Sequence, residues 1–222
     1  MVNSKEIIVW DLCIRITHWS LVFLFLFLIV TGEMGDDWLE FHMKAGYLFS
    51  GLLVFRITWG FIGSYHARFW TFIYSPKTII HYTINLIKGS PIHYIGHNPA
   101  GGIMVIILLL ALSTQVITGL VTTDDILWSG PFYNRIESSW ADIGASIHRI
   151  MESYLKILVL LHILAVVYHK VRFKENLVSA MWHGKKKLNS EKIQHSKINI
   201  YSLIIALFIS ALIPYWLWGL PI

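Results

Sequence analysis

His148 and His162 stand fourteen residues apart in one apolar stretch, 145–170. At ~3.6 residues per turn and ~1.5 Å rise, fourteen residues return to within ~40° of the same helix face, ~21 Å further along. Both imidazoles therefore look out of one side of one helix, near opposite edges of a ~30 Å hydrocarbon layer. His18 and His42 sit near the starts of two other apolar stretches. Two imidazoles from facing helices can fill both axial positions of a haem iron, whose apolar macrocycle then lies edge-on between them. Zinc or a di-iron centre would want three or four ligands, often carboxylates, converging on one point.

The elements that must carry these histidines are readable from composition. The chain has 222 residues, 55% hydrophobic and 14% charged, against roughly 25% charged in a soluble domain. One cysteine, Cys13, excludes an internal disulfide, a cysteine-rich zinc site and covalent haem attachment through C-x-x-C-H. Five apolar segments are long enough to span: Ile14–Val30, Gly46–Ile62, Gly101–Val121, Leu155–Val171 (helical from about Ser146) and Ile198–Trp218. Phe69–Lys88 reads as an amphipathic segment at the interface. The expected fold is an all-α membrane protein: a four-helix transmembrane bundle over 7–187, then a basic linker and a fifth C-terminal transmembrane helix over 188–222.

Net charge is +5, but its distribution argues for topology rather than for nucleic acid. The 64–98 loop has Arg68, Lys77 and Lys88 and no acid, and 170–197 has eight Lys/Arg against Glu175 and Glu191. The 32–44 loop offers Glu33, Asp36, Asp37 and Glu40 against Lys44, and 122–147 offers Asp124, Asp125, Glu137 and Asp142 against Arg135. Positive-inside bias places the N-terminus in the cytoplasm and the C-terminus outside a bacterial inner membrane.

Topology then assigns depth. His42 and His148 fall at the outer level, His18 and His162 at the inner one. Each alone has the plainer reading of a helix–helix hydrogen-bonding residue, and four at two matched depths favour axial ligands. Arg56, fourteen residues after His42, either pairs with propionates of the inner haem or snorkels to the surface; Arg15 is the other propionate candidate. His169, beside Lys170 and Arg172, reads as a headgroup residue, and His66, His81, His93, His183 and His195 as solvated interface or loop residues. Glu152 and Lys156 form an i,i+4 pair that faces an aqueous cavity or the outer surface, or lines a quinone site.

An ordered set of short motifs runs through the chain. It comprises Val9-Trp10-Asp11-Leu12 with Arg15 and His18-Trp19, His42 with Gly46-Tyr47, Phe55-Arg56, and Trp59-Gly60-Phe61-Ile62-Gly63-Ser64. Gly96-His97-Asn98-Pro99, Thr118-Gly119-Leu120, His148, His162, Glu175-Asn176-Leu177, Ala180-Met181 and Gly184 follow. Together they resemble the bacterial dihaem b-type cytochromes, the cytochrome b-561 family that includes the b-type cytochrome subunits of nickel–iron hydrogenases. The resemblance covers about 7–187 and implies two non-covalent b haems held by His18, His42, His148 and His162. It also implies electron exchange between quinone or quinol and a redox partner, a hydrogenase-like subunit or a c-type cytochrome. Whether such a chain is itself a quinone-linked oxidoreductase or only an electron-transfer component stays open. In that family's terms, the turn at 96–99 shapes a cytoplasmic haem or quinone pocket with His97 donating a hydrogen bond; its plainer reading is a turn opening the third helix. The fifth helix departs from the usual four, and either packs on a partner or anchors the chain in lipid.

Two rivals belong to other classes. A haem-free small transporter or proton relay would use the intramembrane His, Glu152, Lys156 and Arg56, although no inverted repeat or Gly/Pro-broken helices are evident. A structural anchor subunit would leave electron flow intact when His18 or His162 is replaced.

Overall fold

The computed structural model describes residues 5–90, 92–124, 128–188 and 196–220; Asp125, Glu191 and His195 lie outside the described residues. Helices dominate: α1 (Leu12–Glu33), α2 (Leu39–Ile62), α3 (Pro76–Ile87), α4 (Pro99–Gly119), α5 (Ser138–Phe173), α6 (Leu177–His183) and α7 (Ile200–Trp218). The described residues also form one short antiparallel pair, β1 (Lys5–Ile8) with β2 (Lys185–Leu188), registering Lys5 on Leu188. This small pair is an addition to the all-α expectation. Five helices, α1, α2, α4, α5 and α7, are long and apolar enough to cross a membrane. The protein is an all-α, multi-pass membrane protein. In α2, 56% of the apolar window is buried, against 6–11% in the other four spans.

Polar side chains at the ends explain where the helices begin. Asp11 accepts from the Ile14 backbone N–H at 2.9 Å, capping α1. Asn98 accepts from Gly101 N–H at 2.7 Å, with Pro99 in the first turn of α4. Ser75 and Pro76 repeat that arrangement on α3, the segment read as amphipathic. Asn199 caps α7 through the N–H groups of Tyr201 and Ser202. α6 ends on Gly184 at φ 80°, a left-handed position that favours glycine. α5 begins at Ser138, eight residues before the expected start, because its first turns are polar and hydropathy does not mark them.

Contacts divide the chain into two units that cut across the spans. The first comprises residues 1–16, 57–107 and 160–206; the second comprises 17–56, 108–159 and 207–222.

In the first unit, buried Asp11 accepts from the Trp59 indole N–H at 3.0 Å and from the Ser64 hydroxyl, tying the start of α1 to the end of α2. Val9 and Trp10 N–H both donate to the Gly184 carbonyl, at 2.8 and 3.1 Å. In the second unit, α7 lies on α2 at Gly51. A Cβ there would meet the Pro214 ring and the Ser210 carbonyl at 3.0 Å, so glycine is what allows the close approach.

Candidate functional site

Within the second unit, α2 presents His42 and α5 presents His148 across a gap, with ring centroids 6.4 Å apart and planes at 80°. Each imidazole is held from behind by a different helix. His42 Nδ1 donates to the Leu28 carbonyl of α1 at 2.9 Å, and His148 Nδ1 donates to the Gln115 carbonyl of α4 at 2.9 Å. A carbonyl can only accept, so both rings carry their proton on Nδ1 and keep the Nε2 lone pair as a donor to an electrophile.

The two supports share one design. Three residues after each carbonyl stands a buried threonine, Thr31 or Thr118, with its hydroxyl 3.3 or 3.4 Å from the imidazole Nδ1. Each hydroxyl donates to the carbonyl four residues back, Phe27 or Thr114, at 2.8 Å. Its oxygen is left to share the imidazole proton. The next residue is glycine in both cases. A Cβ on Gly32 would meet His42 Cε1 at 3.2 Å, and one on Gly119 would meet His148 Cε1 at 2.8 Å. Each ring thus lies against helix backbone that a side chain would cover. The repeated Thr-Gly at the ends of α1 and α4 was the available sequence signal for Leu28, Thr31, Gly32, Gln115, Thr118 and Gly119.

The space between the rings belongs to a cavity of about 350 Å³ lined by His42, Gly46, Tyr47, Gln115, His148 and Glu152 among others, within the ~300–1,000 Å³ of ligand sites. A Cβ on Gly46, one turn after His42, would meet nothing within 4 Å. The Gln115 amide nitrogen lies 3.2 Å from His148 Nε2, and the Gln115 side-chain oxygen and Tyr47 hydroxyl are buried without hydrogen-bond partners among the described residues. Among the described residues no three His, Cys, Asp or Glu converge as a metal cluster. Two opposed imidazoles suit an iron whose other donors come from a macrocycle. Two nitrogen–metal bonds of ~2 Å, with a ring radius added on either side, need about 6 Å between centroids. The donor set and spacing fit a haem.

Near this cavity, Lys156 of α5 bonds Glu152 at 2.6 Å and Glu33 of α1 at 2.7 Å. The i,i+4 pair is therefore part of a three-residue bridge, with Glu152 also on the cavity wall. Arg56 is buried within α2 in the same unit, not extended into solvent. His18 lies on α1 in the second unit, edge-on to Trp19 with centroids 5.1 Å apart. His162 lies on α5 in the first unit.

Among the other histidines of the first unit, His66 and His169 depart from their sequence reading. His97 lies between Trp10 and Phe72, with ring centroids 4.6 and 4.4 Å away and planes tilted by 57° and 50°, and its carbonyl accepts from the Tyr74 hydroxyl at 3.3 Å. Arg15 donates to the His183 carbonyl at 3.1 Å. His66 is buried rather than solvated. His169 is buried too, and donates from Nδ1 to Glu175 at 3.2 Å, so it is not a headgroup residue. Lys186 bonds the same carboxylate at 2.9 Å. The hydrogen bond from His169, then the Lys186 ammonium, outweigh burial and hold the Glu175 carboxyl at about 2, well below its usual range. Burial pushes the Tyr82 phenol up to about 12, helped by the Glu175 charge.

The family model for prokaryotic cytochrome b561 matches residues 9–184. Similar proteins are a probable Ni/Fe-hydrogenase B-type cytochrome subunit of Rhizobium leguminosarum bv. viciae, 26% identical, covering 83% of this chain and 90% of that one. Those of Bradyrhizobium diazoefficiens and Rhodobacter capsulatus bearing the same description are each 24% identical, covering 83% and 86% of this chain and 87% and 86% of theirs.

Proposed function

The chain belongs to the prokaryotic cytochrome b561 family, and we propose that it holds two b haems and carries electrons between quinone and a redox partner. That it is a membrane electron-transfer cytochrome with haem b follows from the family. The rest is the reading set out here. His42 and His148 would hold the iron of one haem, and His18 and His162 that of the other. The observation that carries this is the matched pair of 2.9 Å bonds from Nδ1 to the Leu28 and Gln115 carbonyls, which puts the lone pair of each ring on Nε2, that of His148 accepting from the Gln115 amide in this structure.

Bound haem b supplies a one-electron ferric–ferrous couple. The protein's own residues set the conditions for it. The Leu28 and Gln115 carbonyls fix ring tautomer and raise ligand basicity, and the glycines at 32, 46 and 119 clear space. Arg56, a buried guanidinium, would pair with propionates of the second haem.

Relatives named as hydrogenase cytochrome subunits favour a hydrogenase-like partner over a c-type cytochrome. The charge bias of the loops favours an inner-membrane chain with its N-terminus in the cytoplasm and its C-terminus outside, and hence the His42–His148 site on the partner's side.

The test is haem stoichiometry by pyridine haemochrome on purified protein, with reduced-minus-oxidised spectra. Two haems per chain are expected, falling to one in His42→Ala or His148→Ala and losing the other in His18→Ala or His162→Ala. A single haem in the parent, or a count unchanged in His148→Ala, would overturn the reading.

A further inference from the structure

The cavity wall beside His42 and His148 includes three charged side chains, Asp124, Arg149 and Glu152. Glu152 stands out by its position and its partners. It is four residues after His148 on α5, so the two side chains project from neighbouring points of one helix face. It lines the same cavity as both imidazoles. Its carboxylate is held by Lys156 at 2.6 Å, and Lys156 is anchored in turn by Glu33 on α1 at 2.7 Å. The bridge has two acids and one base, so it places net negative charge near the ligand pair.

We propose that Glu152 sets the reduction potential of the haem held by His42 and His148, with Lys156 and Glu33 fixing where its charge sits. This rests on the reading of those histidines as ligands. A ferric bis-imidazole haem core carries one positive charge more than the ferrous core, so a nearby carboxylate favours the oxidised form and an ammonium favours the reduced form. At ~10 Å and an effective dielectric of ~20, one unit charge changes the ferric-to-ferrous ratio roughly ten-fold. For a one-electron couple that corresponds to about 59 mV.

The experiment is a potentiometric titration of the haem-loaded full chain, with the two haems resolved optically. Glu152→Gln should raise the potential of one haem by a three- to ten-fold change in ratio, and Lys156→Gln should lower the same haem by a similar factor. Glu152→Asp, which keeps the charge, should stay near the parent. A merely structural bridge would instead move Glu152→Gln and Lys156→Gln in the same direction, with loss of haem. Same-sign shifts, no shift, or Glu152→Asp behaving as Glu152→Gln would each overturn the proposal. A haem count unaffected by His148→Ala would overturn the ligand reading and this proposal with it. A haem lost in His148→Ala together with an unmoved potential in Glu152→Gln overturns this proposal alone.

Discussion

An alanine at position 119 should weaken haem binding at the His42–His148 site far more than an alanine at position 32. A Cβ on residue 119 would lie 2.8 Å from His148 Cε1 and 3.2 Å from Nδ1. On residue 32 the same distances to His42 are 3.2 and 3.3 Å. His148 cannot yield freely, because its Nδ1 is bonded to the Gln115 carbonyl at 2.9 Å. Reaching ordinary contact requires a retreat of about 0.6 Å, which forfeits most of a bond worth ~0.5–1.5 kcal/mol net. Overpacking of this kind costs ~1–3 kcal/mol, and replacing glycine within a helix returns about 0.5–1 kcal/mol. The net loss is on the order of 1–3 kcal/mol, or about 5- to 150-fold in affinity at that site. At position 32 the shortfall is only one or two tenths of an ångström and the helix-propensity gain offsets it, so the expected change is under about three-fold. Haem titration into apoprotein, followed by the Soret band and haem-to-protein ratio, reads the difference. Wild-type haem binding in Gly119→Ala, or an equal loss in Gly32→Ala, would refute the clasp.

Two further outcomes follow from other parts of the structure. The folded-state pKa of Glu175, about 2, lies below its ordinary 4.5, so its contribution to stability is complete above pH ~4.5 and is lost as pH falls toward 2. The melting-temperature gap between wild type and Glu175→Gln should therefore be full at pH 6 and shrink toward pH 3; a gap equal at both would refute the assignment. Gly51→Leu should lift the end of α7 from α2, since the Ser210 carbonyl and Pro214 ring leave no room for a side chain. Disulfide trapping between Tyr47→Cys and Trp218→Cys, whose parent rings lie 6.5 Å apart, should fall several-fold in that background. Unchanged trapping would show that Gly51 is not the contact.

The spans were legible because an apolar run near twenty residues has few other solutions, and Asp11, Ser75-Pro76 and Asn98-Pro99 are local signals that needed no tertiary context. The approach of His42 to His148 was legible in charge bias and helical phase together. The supports behind them were not, because the acceptors are backbone carbonyls at Leu28 and Gln115, and side-chain identity is silent about those. Only Thr31-Gly32 and Thr118-Gly119 hinted at them. His169 misled through its neighbours: Lys170 and Arg172 suggest a headgroup. The chain instead turns back after Lys174, at φ 58°, and brings Glu175 onto the ring. The β1–β2 pair was illegible for a related reason, since Lys185-Lys186-Lys187 looks like a solvated run until the N-terminal strand is laid beside it.

The matched clasps bear on how such a site is tuned. Both rings of the His42–His148 pair receive the same treatment, a carbonyl at 2.9 Å, a threonine oxygen and a glycine gap. Hydrogen bonding to ligands raises their basicity and stabilises the oxidised metal, but here it acts on both sides alike. It sets a common baseline and gives the pair no direction. What breaks the symmetry is the Gln115 amide beside His148 Nε2 and the charge on the cavity wall, to which α5 contributes Glu152, tied through Lys156 to the end of α1. In this architecture helix ends position the ligands, and the bridged carboxylate of Glu152 adjusts the electron affinity between them.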